Sequence, residues 1–417
     1  MTSSRFVSFT IVNGAYYHYA LTLAQSYLDN NPESLFYVFY LGEEPTYIPD
    51  SARTIVKVVD EEMINDLKSR AFYYEITELS TSIKPNCFRY LGELGFKKII
   101  YLDPDIFIYK SLENIDNLLE NQNIIITPHS TEPIYDGLLP DDLSFLRSGS
   151  YNLGFIAIRW NDKTKLFIDW WMSRLRYNAF NAFSKGMFTD QKWIDLIPGF
   201  FDGVYILKDN GYNVAYWNLH GRKIELEDGE FKSNGGPLYF FHFSGISLNN
   251  NLVSKYSTRY SSYYDLGIDI TILFERYKAK LLENYGITES QRKSQNSYNY
   301  FGDGELISEL DRLIYLNYNV YSGQCIDASK ITRKEFYRLI QSTPENRVSC
   351  EFTYDPRLGR ISQQISRLPA PVKSIARSLS TMNWVSKIVS LTNNSVNKIN
   401  TSQIIYALYK ESNEGNA

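Results

Sequence analysis

Residues 95–115 read "GFKKIIYLDPDIFIYKSLENI" and place two carboxylates at the end of an apolar run. Asp103 and Asp105, separated only by Pro104, follow Ile99, Ile100, Tyr101 and Leu102 and precede Ile106, Phe107, Ile108 and Tyr109. Runs of this kind go to the interior, where like charges a few ångströms apart repel strongly. Two readings answer the problem. Either the strand ends where both carboxylates reach water or cap a helix, or a divalent cation sits between them. With Pro104 stiffening the turn, both side chains reach one ion. Mg2+ and Mn2+ take hard oxygen ligands and often share their shell with substrate phosphates.

Outward from this stretch the chain alternates strands and helices. Residues 5–12 (RFVSFTIV), 35–41 (LFYVFYL), 54–60 (TIVKVVD), 98–103 and 123–127 (NIIIT) read as strands. Residues 16–28 read as a helix with Tyr17, Ala20, Leu21, Ala24, Tyr27 and Leu28 on one face. The alternation predicts an α/β fold with a largely parallel sheet. In such sheets ligands bind beyond the carboxyl ends of the strands, which is where Asp103 falls. Later, 151–160 is strand-like and 163–178 helical, with Leu166, Phe167, Trp170 and Trp171 as the packing face. "DQKWIDLIPGFF" reads as a shorter helix, and "YNVAYWNLH" and "PLYFFHFSG" as two more strands. Beyond about residue 266 the pattern is mainly helical, with Ile270, Leu273, Phe274, Tyr277, Leu281 and Tyr285 in one stripe. We therefore expect a domain at 1–260 and a mainly helical section at 261–417.

At 417 residues the chain is too long for one ordinary domain, and 44% hydrophobic content is ample for a core. A net charge of −4 argues against nucleic acid as the main partner. Aromatics reach 15%, with 34 Tyr, a composition suited to sugars and bases as well as to packing. Cys87, Cys325 and Cys350 stand at no metal-motif spacing, and an odd count gives no disulfide framework. The opening "MTSSRFVSFTIVNG" lacks the basic start and apolar core of a signal peptide, and no stretch approaches a membrane span. A cytoplasmic protein is expected.

A nucleoside diphosphate leaving group needs its charge neutralised as a glycosidic bond breaks, so an apolar run followed by D-x-D suits a nucleotide-sugar transferase. The motif alone arises often by chance. Its company is more specific. "FTIVNGAYYHYA", "KPNCFRYL", "YLDPDIFI", "SYNLGFIAI" with "TDQKWI", and "FFHFSG" occur in this order over residues 5–250. On these pieces the chain resembles GT-A-fold glycosyltransferases, a Rossmann-like class, and within them glycosyltransferase family 8, which includes glycogenin and bacterial lipopolysaccharide galactosyl- and glucosyltransferases. The resemblance does not cover residues 260–417. It implies that Asp103, Asp105 and His242 bind Mn2+ or Mg2+, and that Gly245 lets a diphosphate approach. Val12, Asn13 and Tyr17 would line the base and ribose pocket, and Lys84 and Arg89 would face the diphosphate or sugar. Asn152, Asp190 and Gln191 would hydrogen-bond the donor sugar or face the reacting centre. The implied partners are a nucleotide-sugar donor, UDP-hexose first, and a glycan, lipid-linked or protein acceptor, with the reaction retaining. Asp190 and Asp136 are the carboxylates to weigh as an inverting base. One departure is plain: "HFSGISLNNN" lacks the Lys-Pro-Trp that the family places after H-x-x-G, with Lys255 and Arg259 as substitutes to consider.

Each residue has a plainer alternative. His242 is otherwise a core histidine, Arg89 and Lys84 solvated charges, Asn152 a turn residue and Asp190 a helix N-cap. Trp217, Asn218, His220 and Arg222 in "YWNLHGR" read as a sugar-facing wall or as core. At the level of the whole protein the rivals are a haloacid-dehalogenase-like phosphotransferase and a catalytically silent GT-A binding module. Finally, residues 356–400 carry seven Lys or Arg and no acidic residue, with apolar residues at roughly helical spacing. This reads either as a peripheral contact with the anionic inner face of a membrane or as a helix packed on the catalytic domain.

Overall fold

The computed structural model describes residues 6–183, 186–293 and 297–341. These form two compact units: one from 6–59, 80–179 and 183–293, the other from 60–79, 180–182 and 297–341. The first unit therefore runs past residue 260 and takes in the helix Ile268–Ile287, whose Ile270, Leu273, Phe274, Tyr277 and Leu281 are buried. Tyr285, placed in the same stripe by its spacing, is 38% exposed. The basic segment 356–400 lies outside the described residues. No helix among the described residues is long and apolar enough to cross a membrane.

The first unit is built on a sheet of seven strands. They include β1 (Val7–Asn13), β2 (Leu35–Leu41), β3 (Thr54–Val58) and β4 (Lys98–Leu102). A short β5 (Ile106–Ile108) lies outside it, followed by β6 (Ile124–Pro128) and β7 (Tyr151–Arg159) within it. Val204–Ile206 forms one edge, and the order runs from it through β6, β7, β4, β1 and β2 to β3. All pairings are parallel except those of β7, which runs antiparallel to both β4 and β6. The α/β, largely parallel sheet expected from the alternation is thus present. The reversed strand has a consequence for the site. Its first residues, Tyr151 and Asn152, lie at the carboxyl ends of β4 and β6, with Thr127 opposite Asn152.

β1 and β2 are buried at nearly every position, as strands covered on both faces must be. Helix α1 (Tyr17–Asn30) covers one face, and all six apolar positions read from its spacing are buried. Asn161 caps the helix Asp162–Leu175 by accepting from Lys163 N and Thr164 N, with Thr164 returning the bond. Phe167 and Trp171 of that helix are buried; Leu166, assigned to the same face, is 66% exposed. Adjacent residues point to different sides of a helix, and here the second of each pair, Phe167 and Trp171, takes the buried side. "YNVAYWNLH" is not a strand. Asn213 takes a left-handed backbone, φ +50, and the Asn218 side chain accepts from Ala215 N at 2.9 Å, so the segment folds into turns after a single bridge of Val214 to Phe241.

In the second unit Phe72 stacks on Tyr315 with centroids 4.2 Å apart. Arg312 donates to the carbonyls of Ala71, Phe72 and Tyr74, closing the end of the helix Leu67–Tyr73.

The helix Lys84–Glu93, with Pro85 in its first turn, packs close enough to Trp160 that a Cβ on Gly92 would lie 2.2 Å from the indole. Gly92→Ala gains about 1 kcal/mol of helix propensity but overpacks this contact, typically a loss of 1–3 kcal/mol. We expect a lower urea midpoint for Gly92→Ala. An unchanged or higher midpoint would show that the indole moves freely.

Candidate active site

The end of β4 is held on both sides. Asp103 N donates to Gly154 O of β7 at 2.8 Å, and Ile106 N donates to Asp103 O at 3.1 Å, closing the turn over Pro104. β5 then pairs antiparallel with the strand Phe240–His242, placing Ile106 opposite His242. Phe243 N donates to Asp105 O at 2.8 Å. This register brings His242 Nε2 to 2.9 Å from Asp105 Oδ1 and 3.7 Å from Asp103 Oδ2. One ligand atom from each of the three residues lies within 4.8 Å of the others. The imidazole is 3% exposed, while the Asp103 and Asp105 side chains keep 30% and 19%. The cluster therefore has a closed back and an open front. Gly154 makes room for the ring, since a Cβ there would stand 2.3 Å from His242 Cε1.

The electrostatics match this placement. Burial pushes the Asp103 carboxyl up, Lys84 and His242 pull it back, and Asp105 adds a further upward push. Burial opposes charge on His242, yet Asp105 and Asp103 hold its proton affinity above the ordinary value. Both acids and the ring are thus arranged around a place for positive charge.

Behind the cluster lies a second buried pair. Lys84 Nζ is 2.6 Å from Asp190 Oδ2, donates to Leu153 O at 3.0 Å and stands 4.0 Å from the Tyr101 ring centroid. Tyr101 in turn donates to Asp103 Oδ1 at 2.5 Å. Asp190 occupies the N-cap position of the turn Gln191–Leu196 but makes no capping bond there. Its neighbour Thr189 is held at φ +45, uncommon for a β-branched residue, and donates to Asp190 Oδ1. Lys84 and Asp190 are therefore neither surface charge nor simple cap.

Asn152 and Gln191 are also brought together, with their amides engaged inside the protein. Gln191 Oε1 accepts from Leu153 N at 2.9 Å, and its Nε2 donates to Ser148 O at 2.9 Å. Asn152 Oδ1 accepts from Gly154 N and from Asn213 Nδ2, each at 3.0 Å. Trp217 packs edge-on to His242, and Asn218 donates to the carbonyls of His129 and Asn213. Arg222 is buried and donates to Tyr212 O, and His220 Nε2 faces Ser130 Oγ at 3.3 Å. "YWNLHGR" thus braces the site.

Other expected residues lie elsewhere. Val12 is core, and Tyr17 is fully buried with its hydroxyl on Tyr47 O at 2.9 Å. Asn13 ends β1 and is half-buried. The ring that remains available is Tyr16, 49% exposed and stacked on Tyr19. Burial and then the Asp105 charge raise the Tyr16 hydroxyl, which marks its proximity to the cluster. The family resemblance implies Tyr17 for the base pocket, whereas its spacing on the helix puts it on the buried face, which is where it lies. Arg89 pairs with Asp169 at the surface. Gly245 has φ +77, and its close neighbour is Ser254, 2.4 Å from where a Cβ would be. Lys255 N donates to Gly245 O at 3.1 Å, which ties the exposed Lys255 to the same turn. Arg259 is engaged with Asp136, Leu138 O and Pro140 O. Asn213 and Tyr101 were not foreseen. Neither stands in a motif that announces its partner.

His129 stacks on Phe145, and burial first, then the nearby His242, lowers it to about 4. Its folded value lies below the unfolded one, so protons favour unfolding. Stability should fall as pH drops through the window from about 6.5 to about 4, by about 3 kcal/mol at most from this group. His18, lowered by burial to about 4, acts in the same direction. Urea unfolding at a series of pH values should show a shallower acid slope in His129→Gln; an unaltered slope would contradict it.

No family model matches the chain. It is similar to two proteins of Bacillus subtilis (strain 168), both described as uncharacterized. YfnF is 30% identical over 164 residues, covering 37% of this chain and 52% of its own. YfnD is 25% identical over 151 residues, covering 36% of this chain and 46% of its own. The chain spans about half the length of the curated relatives it matches. Among solved structures it is similar to galactosyltransferase LgtC in complex with donor and acceptor sugar analogs, at 14% identity and TM-score 0.39 over 67% of this chain and 96% of that one. Glycosyltransferase GlyE of Streptococcus pneumoniae TIGR4 gives 14% and 0.39 over 72% and 67%. Mouse xyloside xylosyltransferase 1 gives 13% and 0.35 over 57% and 96%. At these identities and scores the likenesses say nothing of what this chain does.

Proposed function

We propose that this chain is a GT-A-type glycosyltransferase that moves a sugar from a nucleotide-diphosphate donor, UDP-hexose first, to a glycan, lipid-linked or protein acceptor. The observation that carries the reading is the convergence of Asp103, Asp105 and His242 Nε2 at the carboxyl edge of the sheet, within 4.8 Å of one another and open on one side. The donor set fits a divalent ion. Two carboxylates and one imidazole suit Mn2+ or Mg2+ with positions left for water and phosphate oxygens. Bound there, the ion would offset the charge that builds on the departing diphosphate as the glycosidic bond breaks.

The chain's own residues divide the remaining work. Lys255, exposed and joined to Gly245 O through its backbone N–H, has its ammonium 4.9 Å from the Tyr256 ring centroid and no carboxylate partner among the described residues; it is our substitute for the missing clamp, and Arg259, engaged with Asp136, is not. An ammonium without a carboxylate partner can donate to phosphate oxygens. Tyr16 offers an aromatic face to a base. Tyr101 orients Asp103 through its hydroxyl, and Lys84 fixes Asp190 behind it. Asn152 and Gln191 act by holding the start of β7 in place, since their amides have protein partners. Retention of configuration is the outcome that the family resemblance implies.

A panel of nucleotide sugars with Mn2+, read out as release of nucleoside diphosphate, tests the reading. We expect turnover of one donor class, loss on chelation, and a fall of about 10²–10³ in kcat for Asp103→Asn and Asp105→Asn. Full activity in EDTA would overturn the metal assignment.

A further inference from the structure

Asn213 is wholly buried, beside the cluster, at φ +50. That backbone region is one that Asn tolerates better than most residues. Its amide orientation follows from a backbone group. Gly154 N can only donate, and it lies 3.0 Å from Asn152 Oδ1, so that end of the Asn152 amide is the oxygen. The same oxygen is 3.0 Å from Asn213, whose NH2 must therefore face it. That NH2 also reaches Thr127 Oγ1 at 2.8 Å. Asn213 Oδ1 is left facing His242 Nδ1 at 3.2 Å. A carbonyl oxygen only accepts, so Nδ1 carries the hydrogen. In the neutral ring the lone pair is then on Nε2, facing Asp105 Oδ1 at 2.9 Å. Either a second ring proton or a cation bound in its place bridges Nε2 and that carboxylate, and with Nδ1 already carrying a hydrogen Nε2 is the nitrogen open to a cation.

We propose that Asn213 is the positioning residue that holds His242 in the tautomer presenting Nε2 to a divalent cation. The inference rests on the reading of Asp103, Asp105 and His242 as a cation site. The ring N–H donates to Asn213 Oδ1, the Asn213 NH2 donates to Asn152 Oδ1, and the Gly154 N–H donates to that same oxygen, so both amides are fixed from a backbone group. Imidazole ligands commonly need such a partner on their second nitrogen, which fixes both the tautomer and the plane of the ring.

The test measures Mn2+ affinity directly, from the electron paramagnetic resonance signal of free Mn2+, and thermal unfolding in EDTA, for the full chain and two variants. Asn213→Gly keeps the left-handed backbone and deletes the acceptor. Its Kd for Mn2+ should rise about 10–100-fold. Asn213→Asp keeps an oxygen on His242 Nδ1 but sets its second oxygen against Asn152 Oδ1. It should unfold at a lower temperature in EDTA and still hold Mn2+ within about threefold of the parent, because the acceptor on the ring is retained. A residue that only supports the fold would lose stability and metal affinity together in both variants. Asn213→Gly binding Mn2+ as tightly as the parent overturns the inference, and so does loss of affinity in Asn213→Asp. If the unaltered chain binds no Mn2+, the cation reading itself fails, and the inference falls with it.

Discussion

The pairing of β5 with the strand Phe240–His242 is the contact on which the site depends. It joins segments more than a hundred residues apart and sets His242 opposite Ile106, so that the ring arrives behind Asp105 rather than in the core. Two carboxylates at the end of a buried strand would otherwise repel each other with only water in front. With the imidazole behind them and Lys84 and Tyr101 to one side, the same repulsion becomes a place for a cation.

The antiparallel strand β7 makes that arrangement possible. Because it runs against β4 and β6, its first residues lie where the other strands end. Gly154 then leaves the space that the His242 ring occupies, and Asn152 connects the backbone of β7 to Asn213. Thr189 and Asn213, both in left-handed backbone, sit at the two ends of this network. Strain of about 1–3 kcal/mol per such residue is tolerated where surrounding structure fixes the conformation, and it collects at functional sites.

Much of this was legible in the sequence. The apolar runs of β1, β2 and β4 gave the sheet, and the buried face of α1 followed from its 3.6-residue period. Asp103, Asp105 and His242 were named together, and the structure brings them together. What stayed hidden depended on three-dimensional neighbours. The period put Tyr17 on the buried face, but that its neighbour Tyr16 stays exposed near Asp105 depends on the fold. Arg89 and Asp169 meet because two helices pack, and eighty positions separate them in the chain. "YNVAYWNLH" has strand-forming residues, and the side-chain bonds of Asn213 and Asn218 override that preference. The departure after H-x-x-G was visible, but only the fold shows Lys255 returning to Gly245 while Arg259 is engaged with Asp136.

The central claim is that Asp103, Asp105 and His242 hold a divalent cation. Crystals soaked in Mn2+ with UDP, measured at the manganese absorption edge, test it most directly. The account predicts a single strong anomalous peak at roughly 2.0–2.3 Å from an oxygen of Asp103, an oxygen of Asp105 and Nε2 of His242. An anomalous map with no peak between these three residues, in crystals that bind UDP, would contradict it.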